Sequence, residues 1–305
     1  VAAILGMLRS LDRLRGIHEI YQGAGTSASR IHEYVDRIPP VSQAVGARFL
    51  QPLTRELGFE SVSWQPEGSP SLLDRLDLEI PAGEVTALVS LDAREARAVA
   101  WLLPRFIDPH AGRVLFDGVD IAHATLESLR AETLFVSADG DCFAGTVLEN
   151  LSCGRPEQGL SGVTDAAKAV HAHHFITRLE RGYETPIDAR LSQLDAGQCF
   201  RLGLARALAR DPALLIIEEP DERLDADTKS LLKDTYDRLS QDRTVIFLPG
   251  RLSTVRRADR VVLLHQGRVA AMGPHEELVQ THPLYRHWEY IRFNEFRGEA
   301  LPVYS

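Results

Sequence analysis

Apolar positions recur every third place, alternate, or run together in different stretches of this chain, and each pattern predicts an element. Near the start, Leu8, Leu11, Leu14, Ile17 and Ile20 recur every third residue and form one stripe of a helix. The helical pattern runs from Ala2, loosens at "GAGTSAS" (Gly23–Ser29), and continues to about Val35. Pro39 and Pro40 break it, because proline lacks a backbone donor and fixes φ. Residues 37–57 read as a linker. Beyond them "FESVSW" (59–64), "LDRLDLEI" (73–80), "EVTALVS" (84–90) and "GRVLFDG" (112–118) read as strands. Turn signals separate them at Glu67–Pro70, Pro81–Gly83 and Pro109–Gly112. Helical patterns dominate from about Val147 to Leu208. "ALLIIEE" (213–219) is apolar enough for a strand buried on both faces, and "RTVIFL" (243–248) repeats that character. "RVVLLHQGRVAAMG" (260–273) reads as a hairpin turning at Gln266–Gly267, and the pattern from Pro274 is helical again. Strands alternating with helices predict an α/β domain with a largely parallel sheet and an antiparallel portion at its start.

Composition narrows this only a little. The 305 residues suffice for one large or two ordinary domains, and 44% apolar with 25% charged residues describes a soluble globule with a real core. A net charge of −9 disfavours wrapping nucleic acid. Cys142, Cys153 and Cys199 have no metal-like spacing and read as reduced thiols. The stretch "VAAILGML" is uncharged up to Arg9, but eight residues cannot cross a bilayer, which needs about 20. No basic region precedes it, as a signal peptide requires. The residues alone leave two readings, the tail of a spanning helix or a plain amphipathic helix.

The chemistry is concentrated at "ALVSLDAREARAVAWLL" (87–103), a strand running through a short turn into a helix. Such a turn often carries glycines and a lysine that cradle phosphate. Here there is neither, and Asp92 and Glu95 stand in the spacing of a capping box.

Four further stretches give the chain a family likeness: "LLPRFIDPHAGRVLFDGVDIAHATLESLR" (102–130), "FAGTVLENLSCG" (143–154), "LARALARDPALLIIEEPDERLD" (204–225) and "TVIFLPGRLSTVRRADRVVLLHQGRVAAMGPHEEL" (244–278). In this order and spacing they resemble the nucleotide-binding domain of an ABC exporter, from about Phe59 to Trp288. The resemblance implies a P-loop-type ABC ATPase fold: a mainly parallel core sheet, an antiparallel β arm, and an inserted helical subdomain over about 139–208. It also implies a domain spanning 58–298, with a short tail at 299–305. Residues 1–36 resemble the cytoplasmic end of that family's last membrane helix, which makes Val1–Met7 the expected stub of a spanning helix. In the family two such domains sandwich two ATP molecules. Each ATP is held by one partner's phosphate loop and the other's signature sequence, and hydrolysis uses Mg²⁺, a carboxylate and a histidine.

Matched position by position, most of those groups are missing. The phosphate-loop glycines fall on Ser90, Ala93 and Glu95, the lysine on Ala96, the Mg²⁺-binding hydroxyl on Arg97 and its neighbour on Ala98. Backbone donors reach phosphate through glycines, so Cβ atoms here block the approach, and Glu95 adds a negative charge. The adenine-stacking position falls near Pro66; the nearby Trp64 reads as strand packing. The coupling glutamine falls on Ala138 and the switch histidine on Gly250. The signature reads Leu194-Asp195-Ala196-Gly197-Gln198, with an acceptor-only carboxylate where the family has a serine donor. Glu218 and Glu219 retain carboxylates that in the family meet Mg²⁺ and water, and Leu224-Asp225 keep the end of the loop that meets the partner domain. His171, His173 and His174 cluster but read as surface histidines, and no metal site is expected.

Asp92 and Glu95 are expected to satisfy the helix-head donors that ATP would otherwise occupy. ATP and Mg²⁺, the family ligands, are therefore expected to bind poorly. The expected function is a non-hydrolysing structural or regulatory partner of an ATP-competent half-transporter at the cytoplasmic face of a membrane. The preferred partner is a different subunit rather than a second copy, and no nucleic acid is involved. The alternative is an active ATPase whose site is built from Arg94, Arg97 and Glu219.

Overall fold

A computed structural model describes residues 21, 24–36, 41–153, 159–188, 194–220, 224 and 226–294. The chain divides into two compact units, Val1–Ser42 and Gln43–Ser305. In the first, residues 24–35 form helix α1, which leaves Ile31, Tyr34 and Val35 exposed. The expected stripe from Leu8 to Ile20 and the stub Val1–Met7 lie outside the described residues. Among the described residues no helix is long and apolar enough to cross a membrane.

The second unit is organised by a six-stranded sheet. Its strands are β3 (Val85–Ser90), β6 (Thr133–Val136), β9 (Leu214–Glu218), β10 (Thr244–Leu248), β11 (Arg260–His265) and β12 (Arg268–Gly273). Their order is β12-β11-β3-β10-β9-β6, parallel except for the β11–β12 hairpin. A four-stranded antiparallel sheet, ordered β2-β1-β4-β5, is built from β1 (Glu56–Trp64), β2 (Leu73–Pro81), β4 (Ala111–Phe116) and β5 (Val119–Asp120). The predicted strands are present within a few residues. β6, "TLFV", was not predicted, and it forms the edge beside β9.

Why the central strands are apolar throughout follows from their two buried faces. On β9, Leu214 and Ile216 join the core beneath the antiparallel sheet, while Leu215 and Ile217 join the core of the helical region. β10 does the same with Ile246 and Leu248 on one face and Val245 and Phe247 on the other. This alternation is the two-residue period of a strand. It locks register, since a slip by one residue would exchange every side chain between two differently shaped cores.

Helix α2 (Ala93–Leu102) packs Val99 and Leu102 beneath β3. Helix α3 (Leu126–Glu132) leads into β6, and the helical region carries α4 (Val147–Ser152), α5 (Gly159–Ala169), α6 (His173–Ile176) and α7 (Ala196–Arg210), with a short antiparallel pair of β7 (Gly145–Thr146) and β8 (Pro186–Ile187). After β9 come α8 (Ala226–Leu239) and, after β10, α9 (Leu252–Arg257). α10 (His275–Thr281) and α11 (Pro283–Asn294) close the chain, with Tyr285 and Trp288 buried against β3 and β11.

Part of the stretch read as a linker is packed. Leu50 and Leu53 are buried, and the Asp117 carboxylate accepts hydrogen bonds from the backbone N–H groups of Thr54, Arg55 and Glu56 at 2.8–3.0 Å. The polar surroundings of these two leucines hide them from a periodicity reading.

Candidate functional site

The C-terminal ends of β3, β10, β9 and β6 open on one side of the sheet, the side where open α/β sheets bind ligands. A cavity of about 470 Å³ lies there. Ser90 and Leu91 line it from the end of β3, Ala93, Ala96 and Arg97 from α2, and Ala138 from beyond β6. Glu218 and Glu219 line it from the end of β9 and Pro249 from the end of β10. Ala196 of α7 and Trp288, Ile291 and Arg292 of α11 complete the wall.

The turn between β3 and α2 is short. β3 ends at Ser90 and α2 begins at Ala93, leaving only Leu91 and Asp92 between them. Asp92 caps the helix: its Oδ1 accepts from the Arg94 N–H at 3.0 Å, and its carbonyl accepts from the Glu95 N–H at 2.9 Å. The Ser90 hydroxyl donates to that same carbonyl at 2.6 Å. The Arg94 guanidinium folds back on the Asp92 carboxylate, at 3.0 and 3.1 Å from Nε and 2.7 Å from Nη2. Its hydrogen bonds hold the Asp92 carboxyl below the usual range. Without glycines to carry the backbone around an anion, the helix begins at once.

The expected capping box is only half formed. Glu95 does not reach back to Asp92. It is buried, and its Oε1 accepts from the Gly267 N–H at 3.1 Å in the β11–β12 turn, while Oε2 has no partner. The Glu95 carboxylate is drawn inward by Gly267, which with φ of +76° presents a backbone donor inside the fold. Burial pushes the Glu95 carboxyl above its ordinary value. Glu95 is not among the residues that line the cavity, although its helix neighbours Ala93, Ala96 and Arg97 are.

A complete capping box forms instead at the head of α7. Asp195 Oδ1 accepts from the Gln198 N–H at 2.7 Å, and Gln198 Oε1 accepts from the Asp195 N–H at 3.2 Å. Gly197 has Thr228 against it, so a Cβ there would lie 2.9 Å from the Thr228 hydroxyl. Leu194 is half-buried against the helical core and Ala196 faces the cavity. Leu224 is buried; Asp225 lies outside the described residues.

The two consecutive glutamates have separate fates. Arg97 reaches across from α2, with Nε 2.8 Å from Glu218 Oε1 and Nη2 also bonded to that oxygen. Glu218 is 14% exposed and Arg97 43% exposed. Glu219 is fully buried. Its Oε2 accepts from the N–H groups of Gly250 (2.9 Å) and Arg251 (3.2 Å). Its Oε1 accepts from Arg251 Nε (3.1 Å), from Arg251 Nη2, and from the Thr254 hydroxyl (2.8 Å). Arg251 also donates to the Tyr236 hydroxyl at 3.2 Å and lies over its ring. Burial opposes the charge on Arg251, but Glu219 outweighs it and leaves the guanidinium more basic than usual. A Cβ at Gly250 would come 2.7 Å from the Pro220 carbonyl, so the switch position is closed to any side chain in this arrangement.

Sequence reasoning missed Arg251 and Thr254. The available signal was that a carboxylate at the end of a doubly buried strand requires partners. Among the remaining expected positions, Ala98 is on the buried side of α2 and Trp64 packs against the core from β1. The histidines separate: His171 bonds Asp234 at 2.7 Å and His173 bonds the Tyr183 hydroxyl at 2.9 Å.

Residues 73–222 match the family model described as ABC transporter. The ATP-dependent lipid A-core flippase of Chromobacterium violaceum is 34% identical over 296 residues, covering 97% of this chain and 50% of the flippase. ABC transporter B family member 1 of Dictyostelium discoideum is 33% identical over 278 residues, covering 91% of this chain and 31% of that protein. A solved bacterial Atm1-family ABC exporter with ATP bound superposes with a TM-score of 0.82 at 31% identity, covering 92% of this chain and 48% of the exporter. The chain thus spans half or less of the length of these relatives. With the sheet order and the strand-end cavity above, these likenesses identify the chain as carrying an ABC transporter nucleotide-binding domain of the exporter type.

Proposed function

We propose that this domain is a non-hydrolysing member of its family, a structural or regulatory partner of an ATP-competent subunit in membrane transport. The observation that carries this reading is the Arg97–Glu218 pair, with Glu219 held by Arg251 behind it. Mg²⁺ and ATP do not fit these residues. A divalent ion needs Glu218, whose inner oxygen already receives two Arg97 donors. A water-polarising carboxylate needs a free lone pair facing the cavity, and Glu219 spends both oxygens on the loop that follows β10. A phosphate needs backbone donors at the head of α2, and those of Arg94 and Glu95 are taken by Asp92. Arg97 thus supplies a fixed positive charge where the family resemblance implies a metal ion.

The alternative of an atypical active site has less support. Arg94 is held by Asp92, Arg97 by Glu218 and Glu219 by Arg251, so each proposed catalytic group is engaged elsewhere.

The partner in this reading is a second half-transporter, a different subunit that keeps a working phosphate loop. The two domains would face each other at the cytoplasmic side of a membrane, with residues 1–36 leading from this chain's own membrane portion. Purified chain incubated with Mg·ATP is expected to show no turnover above buffer. Co-expression with an ATP-competent half-transporter should recover a stable pair. Turnover by this chain alone, abolished by Glu219→Gln, would overturn the reading.

A further inference from the structure

Away from the strand-end cavity, the surface between α8 and α9 carries a different chemistry. A groove of about 560 Å³ lies there, and among the described residues no acidic one lines it. Five cations do: Lys229 and Lys233 from α8, and Arg251, Arg256 and Arg257 from the turn into α9 and its length. Two of the five are neutralised within the fold, Arg251 by Glu219 and Arg257 by Asp237. Lys229, Lys233 and Arg256 are exposed, and among the described residues none of the three pairs with a carboxylate. Among the described residues the groove therefore holds three positive charges without an ion-pair partner, on a chain whose net charge is −9.

α8 also carries Asp234 and Asp237, but Asp234 pairs with His171 and Arg238 and Asp237 with Arg257. Lys229 and Lys233 stand four residues apart, so they share a face of α8, and like charges at that spacing repel. Arg256 brings a third charge from the facing helix. Arg257 ties the two walls together by donating to the Lys233 carbonyl at 3.1 Å, which fixes their separation. The hydroxyl-bearing Ser230 and Ser253 also line the groove and add neutral donors. A concave wall of one sign focuses its field and raises the local concentration of a counter-ion. Donors converging from two helices suit a compact anion with several acceptor oxygens, and the volume falls within the range of small-ligand pockets.

From this we infer that the α8–α9 groove binds a phosphate-bearing anion, held by Lys229, Lys233 and Arg256. The site is separate from the strand-end cavity and does not depend on whether the domain hydrolyses ATP. The same chemistry serves a soluble oligophosphate or the headgroup of an anionic phospholipid.

Calorimetric titration of the 305-residue chain with tripolyphosphate tests it. Saturable binding that weakens with added salt is expected. Lys229→Glu/Lys233→Glu should weaken it by about tenfold or more, Arg256→Gln by a smaller factor, and Arg97→Ala not at all. These are exposed side chains, so an unchanged circular dichroism spectrum separates lost binding from lost folding. Absence of saturable binding would overturn the inference. Undiminished binding in the double variant would do the same, as would loss of binding in Arg97→Ala, which would return the anion to the head of α2. Sedimentation with phosphatidylglycerol vesicles then identifies the source. Co-sedimentation displaced by tripolyphosphate supports the site with a lipid headgroup as its ligand, and no co-sedimentation supports it with a soluble one.

Discussion

Glu218 and Glu219 are adjacent at the end of β9 and carry the same functional group, yet the fold treats them oppositely. Glu218 points toward the cavity and shares one oxygen with a half-exposed arginine from α2. Glu219 has a fully buried side chain and accepts from two backbone groups, an arginine and a threonine. The difference lies in the donors each meets: Glu218, the last residue of β9, meets an arginine from α2, while Glu219, just past the strand, meets the start of α9 and the turn before it. The lesson is that a retained acidic pair does not make a retained site: each carboxylate answers to the donors around it. Glu95 extends the contrast. It too is buried, but it has one partner and an unpartnered second oxygen, so burial raises its pKa instead of being offset.

The largest effect should come from breaking the buried half of the comparison. Arg251→Ala leaves Glu219 without its cation and should cost about 3–5 kcal/mol, read as a lower urea midpoint with unchanged slope. Removing the cap of α7 comes next: Asp195→Ala deletes the carboxylate that accepts from the Gln198 N–H and should cost about 1 kcal/mol, measured the same way. Arg97→Ala, the exposed half, should change stability by less than about 1 kcal/mol. If Arg97→Ala proved as damaging as Arg251→Ala, the two glutamates would not differ as described. The smallest change has the opposite sign. The Glu95 carboxyl is raised above its ordinary 4.5 in the fold, so the stability it contributes is complete below 4.5 and is lost as pH climbs through the raised value. Glu95→Gln should therefore raise Tm at pH 7 and leave it unchanged near pH 4. Thermal melts at the two pH values check this.

Much of this was legible in the residues. The doubly buried strands β9 and β10, the β11–β12 hairpin turn at Gln266–Gly267, and the antiparallel strands announce themselves by apolar runs and turn residues. β6 did not, because "TLFV" follows directly on a helix with no turn signal between them. The absence of glycine and lysine at the head of α2 was plain, and so was an acidic cap at Asp92. The destination of Glu95 was not, since its donor lies 172 residues away on another strand pair. For the same reason Arg97 could be named as a position but not as the partner of Glu218, 121 residues on. The two helix heads share the spacing Asp-x-x-Glu and Asp-x-x-Gln, yet only the second closes a box. At the first, the Gly267 N–H draws the Glu95 carboxylate inward instead.

The central claim is that internal arginines occupy the carboxylates on which Mg·ATP would depend. Its most direct test is calorimetric titration of Mg·ATP into the Lys229→Glu/Lys233→Glu chain, in which the α8–α9 groove no longer contributes. The account predicts no saturable binding in the micromolar range. Micromolar binding that requires Mg²⁺ and is lost in Glu218→Ala would contradict it.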